Sequence, residues 1–199
     1  MYSSTNTEEM WNFVKNMGFE NLENRFQYAG STEVMDMLLG IRYLFCRNTR
    51  TLHTAYKKIA ESQSFDLYEN PRALRSGYMV SDSVLDYAME GTDPLEVQNR
   101  LLSGIVGKRL YKMQTVNSDT ALIGNTTFNI HLKKGEHGYL YIPGTEPDTV
   151  TINGQEQKSD YWNNNFLDLG TYNVDTIVQV TTGTGMHEAV LGTYQESEL

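Results

Sequence analysis

Two carboxylates three residues apart, Asp66 and Glu69, stand just ahead of an Asn70-Pro71 pair and are the first candidates for acid–base chemistry in this 199-residue chain. A glycoside hydrolase needs two carboxyl groups about 5–10 Å apart across a sugar. Residues three apart in a strand point to opposite faces, so this pair reads as turn-fixing or surface carboxylates. The histidines His53, His131, His137 and His187 show no HxH or HExxH spacing, and Cys46 is the single cysteine. Neither a metal centre nor a disulfide framework is expected from them. His131 and His137 could meet across a Lys133-Lys134-Gly135 turn, but two exposed loop-end histidines are the expectation. No GxSxG elbow surrounds Ser76 or Ser103. GIVGKR at residues 104–109 fails as a phosphate loop: Leu102 stands where the first glycine belongs, and Arg109 where Ser or Thr would meet magnesium. No catalytic residue and no cofactor are therefore expected within the chain.

The polar–aromatic run Tyr161-Trp162-Asn163-Asn164-Asn165 is the most suggestive for binding. Aromatic faces stack on sugar C–H surfaces, and amides bond hydroxyls. Tyr161, Trp162, Asn163 and Asn164 are thus the candidate carbohydrate-binding residues. A competing reading, which the burial habit of tryptophan favours, has Trp162 covering an edge of the fold and the asparagines forming a loop. Tyr139 and Tyr141 alternate with Leu140 and Ile142 and read as strand residues.

The formal charge is −9, and the basic residues are dispersed, which argues against a nucleic-acid surface. The same charge is expected to repel an anionic membrane or wall polymer at long range. No apolar stretch approaches the roughly 20 residues that span a bilayer, and MYSSTNTEEM lacks a signal-peptide pattern. A soluble polypeptide is the expectation, and a soluble part of a larger membrane protein reads the same way.

The spacing predicts a helix over residues 6–18, a second over 33–39 capped by Ser31 or Thr32, and a strand over 41–46. A third helix is expected over residues 51–62, giving an αβαβ order, and another over 93–106, with Pro94 in its first turn. LYENPRALRSGYMV at residues 67–80 reads as strand, turn, strand around Asn70-Pro71 and Gly77. Beyond residue 110 short alternating runs take over: Phe128, Ile130 and Leu132 alternate with polar residues, and Val150 and Ile152 do the same. Asn153-Gly154 signals a type I′ turn, and Pro143-Gly144, Leu169-Gly170 and Gly183-Thr184-Gly185 mark further reversals. The expected class is α+β: a mixed α/β subdomain over residues 1–112, then an antiparallel, jelly-roll-like β-sandwich over 113–199.

LLGIRYLF at residues 38–45, LYENPRALRSGYMV at 67–80, and GYLYIP followed by VTING over 138–154 occur together and in order. With these segments the chain resembles the extracytoplasmic C-terminal region of YfhO-type bacterial membrane proteins. The resemblance implies a multi-pass glycosyltransferase of the lipid-phosphosugar-using class that glycosylates cell-surface polymers such as lipoteichoic acid. Its catalytic carboxylate is expected on an external loop near the start of a transmembrane portion that this chain lacks. The implied role is therefore that of a noncatalytic accessory domain at the outer face of the cell membrane. Its implied partners are the transmembrane portion of the same protein and a cell-surface glycan. A free-standing carbohydrate-binding module is the alternative, and an independent glycoside hydrolase is the weakest reading.

Overall fold

The computed structural model describes residues 7–19, 21–22, 25–26, 31–47, 56–87, 91, 93–122, 124–144, 149–157, 165–183 and 187–199. The first half contains helices α1 (Glu8–Asn16), α2 (Glu33–Leu38) and α3 (Pro94–Val106). Among them lie strands β1 (Asn21–Leu22), β2 (Arg25–Phe26), β3 (Tyr43–Arg47), β4 (Lys57–Glu61) and β5 (Phe65–Glu69), and a 3-10 turn at Asp82–Asp86. The second half contains β6 (Lys112–Asn117), β7 (Thr120–Leu122), β8 (Asn125–Leu132), β9 (Glu136–Tyr141) and β10 (Val150–Ile152). It continues with β11 (Gln155–Glu156), β12 (Phe166–Thr171), β13 (Thr176–Thr182) and β14 (Glu188–Gln195).

Each helix begins where its sequence provides a cap. The Thr7 and Thr32 hydroxyls accept the amides of Met10 and Met35, and Asp93 accepts those of Leu95 and Glu96 ahead of α3. In β8 the alternation directs Phe128, Ile130 and Leu132 inward. The sheet β11-β10-β13-β8-β7 faces the sheet β12-β9-β14-β6 across a core that also includes Leu140, Leu169, Val178, Val180 and Leu191. Asn153 and Gly154, with φ of 51° and 77°, form the tight turn joining β10 to β11. The α+β class with an antiparallel sandwich is therefore what the chain forms.

Strand β9 is nearly continuously buried because its sheet is covered on both sides. The face turned away from the sandwich core presents Tyr139, Phe166 and Tyr194 to Val14, Met17, Val34, Met35, Leu95 and Leu101 of the helical half. Three layers result: helices, a four-stranded sheet and a five-stranded sheet. The three-stranded sheet β3-β5-β4 stands beside them with its own antiparallel pairing.

Four sequence expectations change. Residues 57–61 form a strand and not the end of a helix, because β5 supplies their backbone partners, with a bulge between Lys58 and Ala60; residues 51–55 lie outside the described residues. The αβαβ order fails with it. Residues 78–80 form no second strand, because β5 is the central strand and both its edges are already taken by β3 and β4. Leu169-Gly170 is no reversal: it lies inside β12, where pairing with β9 shifts register between Asp168 and Gly170, and Gly170 takes φ 75°.

Candidate functional site

The segment at residues 67–80 is clamped to the fold through one buried residue. Asn70 is 2% exposed; its Oδ1 accepts the Arg72 amide at 2.9 Å, its Nδ2 donates to the Ile41 carbonyl, and its own amide donates to the Arg42 carbonyl. This Asx-type turn ties the loop to the start of β3. The Leu74 amide donates to the Met37 carbonyl, docking the next residues on the end of α2. Arg72 is thereby held with Nη1 2.5 Å from Glu33 Oε1.

Glu33 is 2% exposed at the first turn of α2, where the helix dipole favours a carboxylate. Its Oε2 accepts the Tyr194 hydroxyl at 3.0 Å, and its backbone amide donates to the Tyr139 hydroxyl oxygen at 3.0 Å. Burial first, and the Glu33 charge next, push the Tyr194 hydroxyl well above the usual tyrosine range. Beside it Gln98 Oε1 accepts from both Thr32 and Tyr111, while its Nε2 donates to the Met17 carbonyl. Asp36 accepts the hydroxyls of Ser31 and Tyr56. One polar network therefore locks all three helices and the loop to β9 and β14. Its buried groups have partners, and its chemistry is positional.

His137 extends this junction. The ring is fully buried, stacked on Tyr194 with centroids 5.3 Å apart. Thr171 donates its single hydroxyl proton to Glu196 Oε1, so it must accept from His137 Nδ1–H at 2.9 Å. Nε2 then lies 2.9 Å from Asp168 Oδ1, close enough for an ion pair although too poorly aligned for a hydrogen bond. Burial opposes charge on the ring, but Asp168, Glu33 and Glu196 outweigh it and raise the His137 pKa above its ordinary value. The charged ring thus stabilises the fold fully below about pH 6.5, and the contribution is lost as pH rises through the raised folded value. The stability deficit of a His137→Gln variant, read as a difference in Tm, is expected to be largest near about pH 6 and to shrink toward about pH 9. A deficit that stays constant over that range would show the ring to be neutral.

His131 takes a different course. Strands β8 and β9 belong to different sheets, so the turn at residues 133–135 sends His131 to the exposed side of one sheet and His137 under the helices. The expectation of two exposed histidines fails for His137. Near this turn a cleft of about 510 Å³ opens between β6 and the ends of β8 and β13. Lys112, His131, Lys133, Glu136 and Asp175 ring it over a floor of Leu132 and Leu191. Glu136 and Asp175 are engaged in holding the turn, accepting the amides of Lys133 and Lys134 at 2.9 and 2.8 Å. The cleft has the size of a small-molecule site, with cationic groups to orient a polar ligand.

The remaining sequence candidates separate. Asp66 and Glu69 point to opposite faces of β5: Asp66 meets Lys58 Nζ at 2.9 Å and Glu69 meets Arg42 Nε at 3.4 Å. GIVGKR is the C-terminus of α3, closed by Gly107 at φ 72°, with Arg109 bound to Glu96. That is the wrong end of a helix for phosphate. Tyr161, Trp162, Asn163 and Asn164 lie outside the described residues; Asn165, the next residue, donates to the Gly144 carbonyl and accepts the Ile142 amide. Glu33, Arg72, Gln98 and Tyr194 were not legible as a network, since they lie up to 161 residues apart. The one local signal was an arginine placed directly after the Asn-Pro turn.

A family model described as bacterial membrane protein YfhO matches residues 1–190. The chain belongs to the YfhO family. No curated protein and no solved structure matches this YfhO-family chain. Among its described residues no helix is long and apolar enough to cross a membrane, and no three His, Cys, Asp or Glu are grouped to hold a metal.

Proposed function

We propose that this unit is the noncatalytic, extracytoplasmic part of a multi-pass membrane glycosyltransferase-like protein that decorates a cell-surface polymer such as lipoteichoic acid. The observation that carries this reading is the match to a membrane-protein family over residues 1–190. It is supported by the structural engagement of the acid–base candidates: Glu33, Asp66, Glu69 and His137 all serve ion pairs or hydrogen bonds within the fold. The unit then works beside the transmembrane portion of the same protein, positioning an acceptor glycan or steadying that portion. The division into subdomains at about residue 112 belongs to the same proposal, with the sandwich as the glycan-facing half.

The test has two readouts in cells making the parent protein. A Val174→Cys substitution places a thiol at a residue 67% exposed, while the native Cys46 is buried and gives little background. Labelling of that thiol in intact cells by an impermeant maleimide is expected, and labelling only after lysis would overturn the extracytoplasmic placement. Removal of residues 1–199 from the parent is expected to abolish sugar on the polymer, whereas the purified chain should transfer none from a lipid-phosphosugar. Transfer by the purified chain would refute the noncatalytic role. A glycan-binding screen with Trp162→Ala separates the carbohydrate-binding alternative: binding lost in the variant assigns that residue, and binding unchanged removes it.

A further inference from the structure

Residues 41–80 hold 7 of the chain's 16 basic residues and only 3 of its 25 acidic ones, a net +4. The other residues carry 9 basic and 22 acidic groups, a net −13. The positive segment is also where apolar side chains are left in water. Pairing of β3 with β5 places Tyr43 and Phe45 on the same face as Phe65 and Leu67. Tyr43 is 56% and Phe45 69% exposed, with the Phe45 and Phe65 rings stacked at 4.9 Å. The opposite face holds Leu44 and Cys46, both buried, so the aromatic face is the outer one. By register Lys57 of β4 stands across from Glu69 at its end, and Arg42 pairs with that same glutamate. Farther along the segment Met79 is almost fully exposed, between Tyr78 and Val80, which are themselves exposed.

We propose that the outer face of β3-β5-β4 is a lipid-docking surface that seats on an anionic bilayer. Tyrosine and phenylalanine rings suit the boundary between headgroups and acyl chains, and Lys and Arg beside them are drawn to anionic lipid. Arg72 and Lys58 are taken up by Glu33 and Asp66 away from this face, so its charge is that of Lys57 and Arg42 against Glu69. A protein pocket could accept the rings alone, and this positive excess beside them favours an anionic surface. The net −9 does not forbid this, because at physiological salt charges beyond about 8 Å are screened and the nearest face decides. The expectation that net charge keeps the chain off anionic membranes therefore does not extend to this face. The inference deepens the proposed function, on which it rests only for a bilayer being at hand, by stating which side of the unit meets it.

The test is cosedimentation of the purified chain with vesicles at about 0.15 M salt. Binding is expected to phosphatidylglycerol–phosphatidylcholine vesicles and not to phosphatidylcholine alone, and it should fall away at about 1 M salt. Lys57→Gln should weaken it about fivefold, the worth of one basic residue at an anionic surface. The pair Tyr43→Ser with Phe45→Ser should weaken it at least about tenfold through lost apolar insertion. Both side chains are mostly exposed and only the Phe45–Phe65 stack is lost, so a cooperative unfolding transition with a Tm close to that of the unaltered chain verifies the fold of the variants. Absence of binding, equal binding to neutral vesicles, or binding that neither variant alters would each overturn the proposal. So would a dimer in sedimentation velocity that the serine pair dissolves without any vesicle binding, which would assign the face to a second copy of the chain. Loss of vesicle binding with intact-cell labelling retained leaves the proposed function standing, and the converse result spares the docking surface alone.

Discussion

Replacing Arg72 with methionine is expected to remove about 3–5 kcal/mol of folding stability, a large part of the roughly 5–15 kcal/mol a domain possesses. The reason is what stays behind. Glu33 is 1% exposed at its side chain, whereas Arg72 is 26% exposed, so the variant strands the more deeply buried member of the pair without its counter-charge. The Tyr194 hydroxyl still donates to Glu33, but one hydrogen bond does not offset a buried charge. Adding Glu33→Gln should return much of the loss, because the uncompensated charge disappears while an amide can still accept from Tyr194. Urea midpoints of the two single variants and the double variant measure this. Independent, additive losses would show that the two side chains do not act as a pair.

Leu95→Ala is expected to cost about 2–5 kcal/mol, toward the upper part of that range. Leu95 is fully buried where α3 crosses β14, and the residue beneath it is Gly192, which has no side chain to fill the hole. A Cβ built on Gly192 would stand 2.9 Å from Leu95 Cδ1 and 3.3 Å from Cδ2. Gly192→Ala alone should therefore destabilise by about 1–3 kcal/mol through overpacking. In the Leu95→Ala background the same substitution changes sign, because the new methyl occupies the vacated volume. Calorimetry of the four proteins tests this reversal, and a Gly192→Ala effect equal in both backgrounds would sink it.

These two sites show where the sequence was readable. The helices α1, α2 and α3 were open to local reading, because the caps that start them, Thr7, Thr32 and Asp93, act on amides two or three residues away and Pro94 suits a first turn. Strand β8 and the Asn153-Gly154 turn were equally plain, since alternation and positive φ are local properties. The misreading of residues 57–61 had a different origin: Tyr56 and Ile59 fit a helical stripe, and only the pairing with β5, a tertiary fact, turns that stretch into a strand. Asp66 and Glu69 could be set aside from spacing alone, and their opposite partners agree. His137 could not be placed, because nothing local reveals that β8 and β9 part into separate sheets. The junction of Glu33, Arg72 and Tyr194 was hidden for the same reason: it exists only after residues far apart in the chain have met. The YfhO resemblance drew on this arrangement without displaying it, since residues 67–80 contain Asn70 and Arg72, which hold the loop and the buried carboxylate.

The hydrogen bond from Tyr194 to Glu33 also sets an order in time. A ribosome delivers α1, α2 and α3 before the strands that cover them, β9, β12 and β14. Val34, Met35 and Leu95 must wait, uncovered, until β9, β12 and β14 have emerged, and the Glu33 carboxylate waits with them for its tyrosine. Native burial of the helical layer is thus deferred until β14 has been made, and a nascent chain halted before β14 presents a greasy, half-built surface. Truncation ahead of β14 should for this reason be felt not only in its partner strands β6 and β9 but also in helices α1, α2 and α3, far earlier in the sequence.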